Sequence, residues 1–385
     1  MLSWLLTISL YGQEEEICEA ELAYRLDSIV STGLLETTQA AVVVYDLTAD
    51  TTIFSYNGRQ RMRPASTMKI ITAISALDLL GVDWQFRTTL RYKGSVAGRV
   101  LWGDIYCVGG FDPMFGTDDL QAFVSGVQRM GIDTIRGSVV ADKTFKSVDK
   151  WGEGWCWDDD NPDLSPLLLR GEDVVAERLT VALRRAGIVV EGGYKEGYAP
   201  SGSFDICSRT HSIDQVLPRM MKQSDNQYAE AMFYQIASLS GLPYAEASHA
   251  RDRISGLIER LGLDPKDYYI ADGSGLSLYD YVSAELEVAF LRHAYSHNEI
   301  FAHLYPSLSV AGVDGTLKKR LLGKKTSGNV HAKTGTLTAI TSLAGYLTAQ
   351  DGHLLCFCII NQGLVGSTRP GRRLQDSIIK ILCGE

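Results

Sequence analysis

The stretch Pro64–Gly81 reads PASTMKIITAISALDLLG, and it combines the signals of a helix with a serine and a lysine at its start. A proline at the start, an apolar run and a closing glycine predict a helix from Ser66 to Leu80. Ser66 and Lys69 are three residues apart, so a helix places them side by side at its amino-terminal end. Taken alone, this pair also fits a serine that caps the helix beside a lysine that reaches solvent.

Two further motifs change the interpretation of the first. Residues 224–226 read Ser-Asp-Asn, within a segment for which we predict helix from Ile213 to Leu239. Residues 333–336 read Lys-Thr-Gly-Thr, at the start of a β-rich segment. The order Ser-x-x-Lys, Ser-Asp-Asn, Lys-Thr-Gly is the motif set of penicillin-binding proteins and class A β-lactamases. Each motif is weak by itself, but the three in this order are a strong signal.

The side chains of these motifs supply what an acyl transfer needs. Ser66 is the predicted nucleophile and Lys69 the base, because burial of an amine favours its neutral form. Ser224 is expected to relay a proton to the leaving amine. Asn226 is expected to hydrogen-bond the substrate amide and to orient Lys69. Lys333 is expected to lower the proton affinity of Lys69 and to attract a carboxylate.

The remaining residues of the third motif are predicted to bind the substrate. Thr334 and Thr336 offer hydroxyl groups to a carboxylate, and Gly335 lets a substrate lie close against the strand. The backbone N–H groups of Ser66 and Thr336 are the predicted oxyanion hole. The motifs together therefore predict a site for an amide substrate that carries a carboxylate.

Most of residues 35–370 resemble a known family, the low-molecular-mass class C penicillin-binding proteins, which are D-alanyl-D-alanine carboxypeptidases/endopeptidases of serine peptidase family S13. The resemblance includes the segments GDIYCVGGFDP (Gly103–Pro113), GWCWDDD (Gly154–Asp160), ADGSGLS (Ala271–Ser277) and AGVDGTLKKR (Ala311–Arg320). It implies cleavage of the terminal D-Ala-D-Ala bond of peptidoglycan stem peptides, and sometimes of peptide cross-links, without a cofactor. It also implies that β-lactams such as penicillin acylate Ser66.

A patch rich in tryptophan and aspartate occupies Trp151–Asp163. In relatives this region borders the active site and can recognise a free amino group of the stem peptide. The resemblance therefore implies substrate contacts from Trp157 and Asp158, whose ring and carboxylate suit a cationic group. The alternative is a structural patch that ties an inserted module to the catalytic domain.

The order of predicted elements indicates the fold class. Helices lie between an N-terminal strand pair, 40–47 and 51–56, and a C-terminal hairpin, 337–348 and 353–361. We therefore expect an α/β (α+β) fold in which a mixed or antiparallel sheet is flanked by helices and interrupted by an inserted module. The resemblance identifies this as the transpeptidase fold of penicillin-binding proteins and serine β-lactamases.

The expected domain division is discontinuous. The catalytic domain is predicted to comprise residues 19–85 and 200–385. An accessory domain is predicted at 86–199, shorter than usual for the family. Residues 1–13 form a candidate signal segment, although they lack a basic start.

Composition excludes several functions. The net charge of −9 argues against nucleic-acid binding, which needs a basic face. No apolar run is long enough for a membrane-spanning helix. The chain has no Cys-x-x-Cys and no His-Glu-x-x-His motif, so no metal site is predicted. Because enzymes of this family work outside the cytoplasmic membrane, the resemblance implies export, to the periplasm or another extracytoplasmic compartment.

Two alternative functions use the same fold. A serine β-lactamase shares the acyl-enzyme chemistry, but the class A enzymes need a glutamate-held water, usually from a Glu-x-x-Leu-Asn segment that this sequence lacks. A non-catalytic wall-binding protein would not need three intact motifs. The sequence favours the D,D-peptidase.

Overall fold

The computed structural model describes residues 21–385, and the candidate signal segment at 1–13 lies outside them. The helices are α1 (21–30), α2 (Met68–Leu80), α3 (Thr117–Arg129), α4 (Val175–Arg185), α5 (Ile213–Lys222), α6 (Asn226–Ser238), α7 (Ala247–Arg260), α8 (Ala284–Ser296), α9 (Asn298–Ser307) and α10 (Arg369–Leu382). The strands are β1 (Gln39–Asp46), β2 (Thr51–Tyr56), β3 (Gln85–Ala97), β4 (Val100–Val108), β5 (Thr134–Ile135), β6 (Val139–Asp142), β7 (Val189–Val190), β8 (Tyr194–Gly197), β9 (Phe204–Ser212), β10 (Ser309–Val310), β11 (His331–Leu337), β12 (Ile340–Thr348) and β13 (Leu354–Gln362).

The first sheet joins the two ends of the chain. It is antiparallel, with the strand order β10-β11-β12-β13-β1-β2. Because side chains alternate along a strand, β1 sends Val42 and Val44 to one face, and Ala41, Val43 and Tyr45 to the other. The Val43 face is covered by a core that includes α2 and α5 to α9, and the Val44 face by α1 and α10. The predicted sheet flanked by helices is confirmed.

The strands from β3 to β9 form a second sheet. Its order is β7-β5-β4-β3-β9, and β6 pairs with both β4 and β8. Strands β3, β4 and β9 are antiparallel neighbours, whereas β4 pairs with β5 and β6 in parallel. A separate apolar core packs this sheet against α3 and α4. Because β9 ends at Ser212, the sheet extends past residue 199, and the predicted domain division stays a prediction.

One helix prediction is wrong. The segment from Ile213 to Leu239 is not continuous but consists of α5 and α6, separated at Ser224. Ser224 has a φ of +60°, which is uncommon for a residue with a side chain and ends the helical path. The Asp225 carboxylate then accepts a hydrogen bond from the Tyr228 backbone N–H and caps α6. The second motif therefore lies in a sharp turn.

The C-terminal strands differ from the prediction in one respect. Strands β12 and β13 form the predicted hairpin around Asp351 and Gly352. The third motif lies on a separate strand, β11, which a tight turn at residues 338–339 joins to β12. Helix α9 was not predicted. In the part of the chain described, no helix combines the length and the apolar character needed to cross a membrane.

Candidate active site

The three sequence motifs meet in one place. The Lys69 Nζ atom lies 3.0 Å from Ser66 Oγ and 2.8 Å from Asn226 Oδ1. Beside this group, Lys333 Nζ lies 2.7 Å from Ser224 Oγ. The fold therefore brings together the five residues that the sequence predicts as catalytic, from the start of α2 and the turn before it, the turn between α5 and α6 with the first residue of α6, and β11.

Residues of α8 and β12 hold the backbone around Ser66 in place. Ser66 lies in a short 3-10 turn, Ala65–Thr67, directly before α2, where the helix dipole is positive. Ala65 has a φ of +51°, a strained conformation that surrounding contacts must maintain. The Thr67 hydroxyl lies 2.6 Å from Glu287 Oε1, and the Ser342 hydroxyl donates to Pro64 O at 2.5 Å.

Two glycines allow the neighbouring segments to approach this turn. A Cβ atom on Gly335 would lie 2.8 Å from Pro64 O and 2.9 Å from Ser66 N, so only glycine lets β11 pack here. Gly275 has a φ of +80°, and a Cβ atom there would collide with the Ala65 carbonyl group. The vacant side-chain position of Gly335 thus faces the turn that carries Ser66.

Lys69 is buried among three hydrogen-bond partners. Its side chain is fully buried, and Nζ also lies 2.7 Å from the Ser274 carbonyl oxygen. The carbonyl oxygens of Asn226 and Ser274 can only accept hydrogen bonds, so they take two N–H groups of the amine. The remaining side of the Lys69 amine faces the Ser66 hydroxyl. Burial lowers the pKa of Lys69 to about 8, although the negative charges of nearby carboxylates oppose this.

Lys333 is the second buried amine of the site. Its Nζ donates to Ser224 Oγ at 2.7 Å and to Thr334 O at 2.8 Å. Burial lowers its pKa well below the usual range, and repulsion from Lys69 lowers it further. The two amines therefore disfavour each other's charged forms. Lys333 also fixes the Ser224 hydroxyl at the edge of the reacting group.

Sequence reasoning missed Asp272, which shapes the floor of the site. Its fully buried carboxylate accepts backbone N–H groups from Gly275 at 2.6 Å and Ser277 at 2.8 Å. It also accepts from Ser274 N at 3.1 Å. These bonds build the turn that directs the Ser274 carbonyl oxygen at Lys69. The available signal was the glycine-rich segment Ala271–Ser277.

Two buried glutamates complete the surroundings. Burial and the charge of Asp272 raise the pKa of Glu230 to about 8, and this carboxylate accepts the Gly273 N–H at 3.1 Å. Burial raises the pKa of Glu287 to about 7. The negative charges of nearby carboxylates, chiefly Asp272, favour the protonated form of Lys69. They therefore limit how far burial lowers its pKa.

A match over nearly the whole chain shows the family to which the protein belongs. Residues 22–167 and 169–382 match the D-Ala-D-Ala carboxypeptidase 3 (S13) family. The chain belongs to this family of peptidases. The enzyme class predicted from the sequence is confirmed, and the three motifs of this S13 peptidase are the ones that meet at Ser66.

Individual relatives agree with the family. The D-alanyl-D-alanine carboxypeptidase of Actinomadura sp. (strain R39) is 26% identical over 94% of this chain and 86% of its own length. The D-alanyl-D-alanine carboxypeptidase DacB of Haemophilus influenzae is 25% identical over 84% of this chain and 85% of its own length. The crystal structure of penicillin binding protein 4 from the same organism has a TM-score of 0.82 at 22% identity. It covers 94% of this chain and 97% of that chain. This likeness confirms the predicted fold.

The tryptophan-rich patch of this S13 peptidase contacts the site through Trp155. Trp157 is 84% exposed and Asp158 is exposed, and neither side chain makes a hydrogen bond or ion pair within residues 21–385. Trp155 instead donates its indole N–H to Asp272 Oδ2 at 2.7 Å. The Ser277 hydroxyl donates to Glu153 O at 2.7 Å. The patch is thus tied to the turn that supports Lys69.

We expect Trp155→Phe to lower the free energy of unfolding by about 2 kcal/mol, because it removes a hydrogen bond to a buried carboxylate. The matched control is Trp157→Phe, which changes an exposed ring and is expected to stay within about 0.5 kcal/mol of wild type. Urea denaturation of the three proteins measures the difference. Equal stability of both variants would contradict the role given to Trp155.

Proposed function

We propose that the protein is a serine D,D-peptidase that cleaves the terminal D-Ala–D-Ala bond of peptidoglycan stem peptides through an acyl-enzyme on Ser66. β-Lactams acylate the same serine. The observation that carries the proposal is the 3.0 Å distance between Lys69 Nζ and Ser66 Oγ, with both N–H groups of the neutral amine held by Asn226 and Ser274.

In the first step, neutral Lys69 accepts the Ser66 proton through its free electron pair as Oγ attacks the carbonyl carbon of the penultimate D-Ala. The negative charge on the carbonyl oxygen is stabilised by the backbone N–H groups of Ser66 and Thr336. The close approach of Gly335 to the Ser66 amide supports this pair of donors, because it brings β11 against the turn Ala65–Thr67.

In the second step, the C–N bond breaks and the leaving amine takes a proton, which Ser224 relays from Lys69. The hydrogen bond from Lys333 to Ser224 supports this role, since it occupies an electron pair of the hydroxyl and leaves its proton for the amine. Water then attacks the acyl group, returns a proton to Ser66 and releases the shortened peptide. The atoms of one water molecule are divided between the two products.

The substrate is proposed to lie along the free edge of β11. Strand β10 pairs with Ala332 and His331, so residues 333–337 have no partner strand on that side within residues 21–385. An extended peptide can add to such an edge by backbone hydrogen bonds. Thr334 and Thr336 then face its C-terminal carboxylate. Contacts of Trp157 and Asp158 with the stem-peptide amino group remain part of the proposal.

The buried carboxylates favour a peptidase over a β-lactamase. A class A β-lactamase needs a carboxylate that holds the deacylating water. Here Glu230 accepts the Gly273 N–H, Glu287 contacts Thr67, and Asp272 is bound by backbone N–H groups. All three are buried. Glu230 and Asp272 thus hold backbone groups and Glu287 holds a side chain, so each carboxylate is already engaged within the protein. The acyl-enzyme formed from penicillin is therefore expected to be long-lived.

The test compares two substrates. We expect the enzyme to release D-Ala from N-acylated L-Lys-D-Ala-D-Ala with repeated turnover. With benzylpenicillin we expect a stoichiometric burst of acylation followed by slow product release. Rapid multiple-turnover hydrolysis of benzylpenicillin without release of D-Ala would instead identify a β-lactamase. Failure to react with either substrate would identify a non-catalytic protein.

The proposed place of action is outside the cytoplasmic membrane, where peptidoglycan lies. The candidate signal segment belongs to the residues that the structure does not describe. Export to the periplasm, or to another extracytoplasmic compartment, therefore rests on the substrate proposed for the enzyme.

A further inference from the structure

An arginine from the C-terminal helix reaches the end of the third motif. Arg372 Nη2 donates to Thr336 Oγ1 at 3.1 Å, and the Thr336 hydroxyl itself donates to Gly335 O at 2.8 Å. The Arg372 side chain is exposed, and it forms no ion pair with any carboxylate in residues 21–385. A guanidinium group with unused N–H donors thus lies beside the threonine predicted to bind a carboxylate.

The position of Arg372 is fixed by its surroundings. A Cβ atom on the preceding Gly371 would lie 2.7 Å from Leu364 Cδ1 and 2.8 Å from Thr341 Cγ2, so α10 packs tightly on the sheet here. Arg320 donates to the Arg372 carbonyl oxygen at 3.2 Å and is anchored by Asp376 at 2.7 Å. The first turn of α10 is therefore rigidly held.

The charge of this turn is unfavourable for the helix. Arg369 and Arg372 lie in the first turn of α10, which contains no acidic residue, and Arg373 follows directly. Cations at a helix amino terminus oppose the helix dipole. Arg372 also repels Arg320, whose pKa is lowered mainly by burial. A charge arrangement that opposes stability is expected where an anion is to be bound.

Space for a ligand lies next to this arginine. A cavity of about 640 Å³ separates the turn after β11 from the loop after β13, and Arg369 and Arg372 form part of its wall. The cavity adjoins Leu337, the residue after Thr336, so it lies at the end of the free edge of β11. Thr336 and Arg372 are thus placed to hold the last group of the substrate together.

We propose that Arg372 binds the free C-terminal carboxylate of the D-Ala-D-Ala substrate, with Thr336, and so selects peptides that end in a carboxylate. The inference rests on the proposed function and adds a specificity-determining residue to it. An arginine suits this role because it stays charged and presents a planar pair of donors that matches a carboxylate.

The experiment measures kcat/KM for D-alanine release from N-acylated L-Lys-D-Ala-D-Ala, and for D-alaninamide release from its C-terminal carboxamide. For Arg372→Ala, we expect a loss of about 10- to 100-fold with the carboxylate peptide, as for removal of a charge-assisted hydrogen bond. The carboxamide peptide should be cleaved at the wild-type rate. Arg372→Lys should restore part of the loss, because it returns the charge without the planar donors.

The matched control is Arg373→Ala, which removes an exposed charge from the next residue of the same helix and should leave both substrates unaffected. Thermal melting of each variant reports on folding. An equal loss with both peptides, or no loss with either, would overturn the assignment of Arg372. A wild-type protein that cleaves neither peptide would contradict the proposed function, and this inference with it.

Discussion

Ser66→Ala is expected to abolish covalent labelling by fluorescent penicillin and to reduce D-Ala release by at least about 10⁴-fold. The reason is that no other hydroxyl occupies the position 3.0 Å from Lys69 Nζ at the start of α2 within the described chain. The substitution removes one atom from a partly exposed side chain, so the fold should be retained. Gel fluorescence after incubation with the labelled penicillin measures acylation.

The matched control for this variant is Ser75→Ala. Ser75 lies on the same helix, α2, and its buried hydroxyl has no hydrogen-bond partner in residues 21–385. Its removal should leave labelling and turnover at the wild-type level. Labelling that persists in the Ser66→Ala protein would show that another residue is the nucleophile.

The second large effect concerns Lys69. Because burial lowers its pKa to about 8, the neutral form that can accept a proton is the minor form below pH 8 and the major form above it. The acylation rate should therefore rise about tenfold per pH unit below pH 8 and level off above it. Stopped-flow measurement of penicillin acylation from pH 6 to pH 10 gives the profile.

Substitutions of Lys69 separate its charge from its basicity. Lys69→Ala removes both, and Lys69→Arg keeps a charge that is never given up at these pH values. Both should lose about 10²- to 10⁴-fold in acylation rate near neutral pH, which is the range for a general base. A flat pH profile in the wild type, or substantial activity in Lys69→Arg, would mean that Lys69 is not the base.

Patterns within short stretches of the sequence predict the helices and strands whose formation depends on neighbouring residues. The β1–β2 pair, the β12–β13 hairpin and α2 follow from apolar periodicity and turn residues. The three motifs also predict which residues meet, because an acyl transfer needs those groups together. What the sequence could not give was the break at Ser224, where a positive φ and a capping aspartate override a helical pattern.

The residues that support the turn beside Lys69 could not be predicted from the sequence, for a different reason. Asp272 and Glu230 act through contacts with backbone N–H groups that only the folded chain brings close. In the sequence, such carboxylates look like ordinary surface residues. The same holds for Trp155, which contacts Asp272, whereas the neighbouring Trp157 is exposed. Composition alone gave no means of distinguishing these two rings.

The most direct test of the account is to locate the covalent adduct of benzylpenicillin by mass spectrometry. Trypsin cuts after Arg61 and Lys69 but not between Arg63 and Pro64, so residues 62–69 form one peptide. The account predicts that this peptide alone gains the mass of benzylpenicillin, and that fragmentation assigns it to Ser66. An adduct on any other residue, or a folded wild-type protein with none, would contradict it.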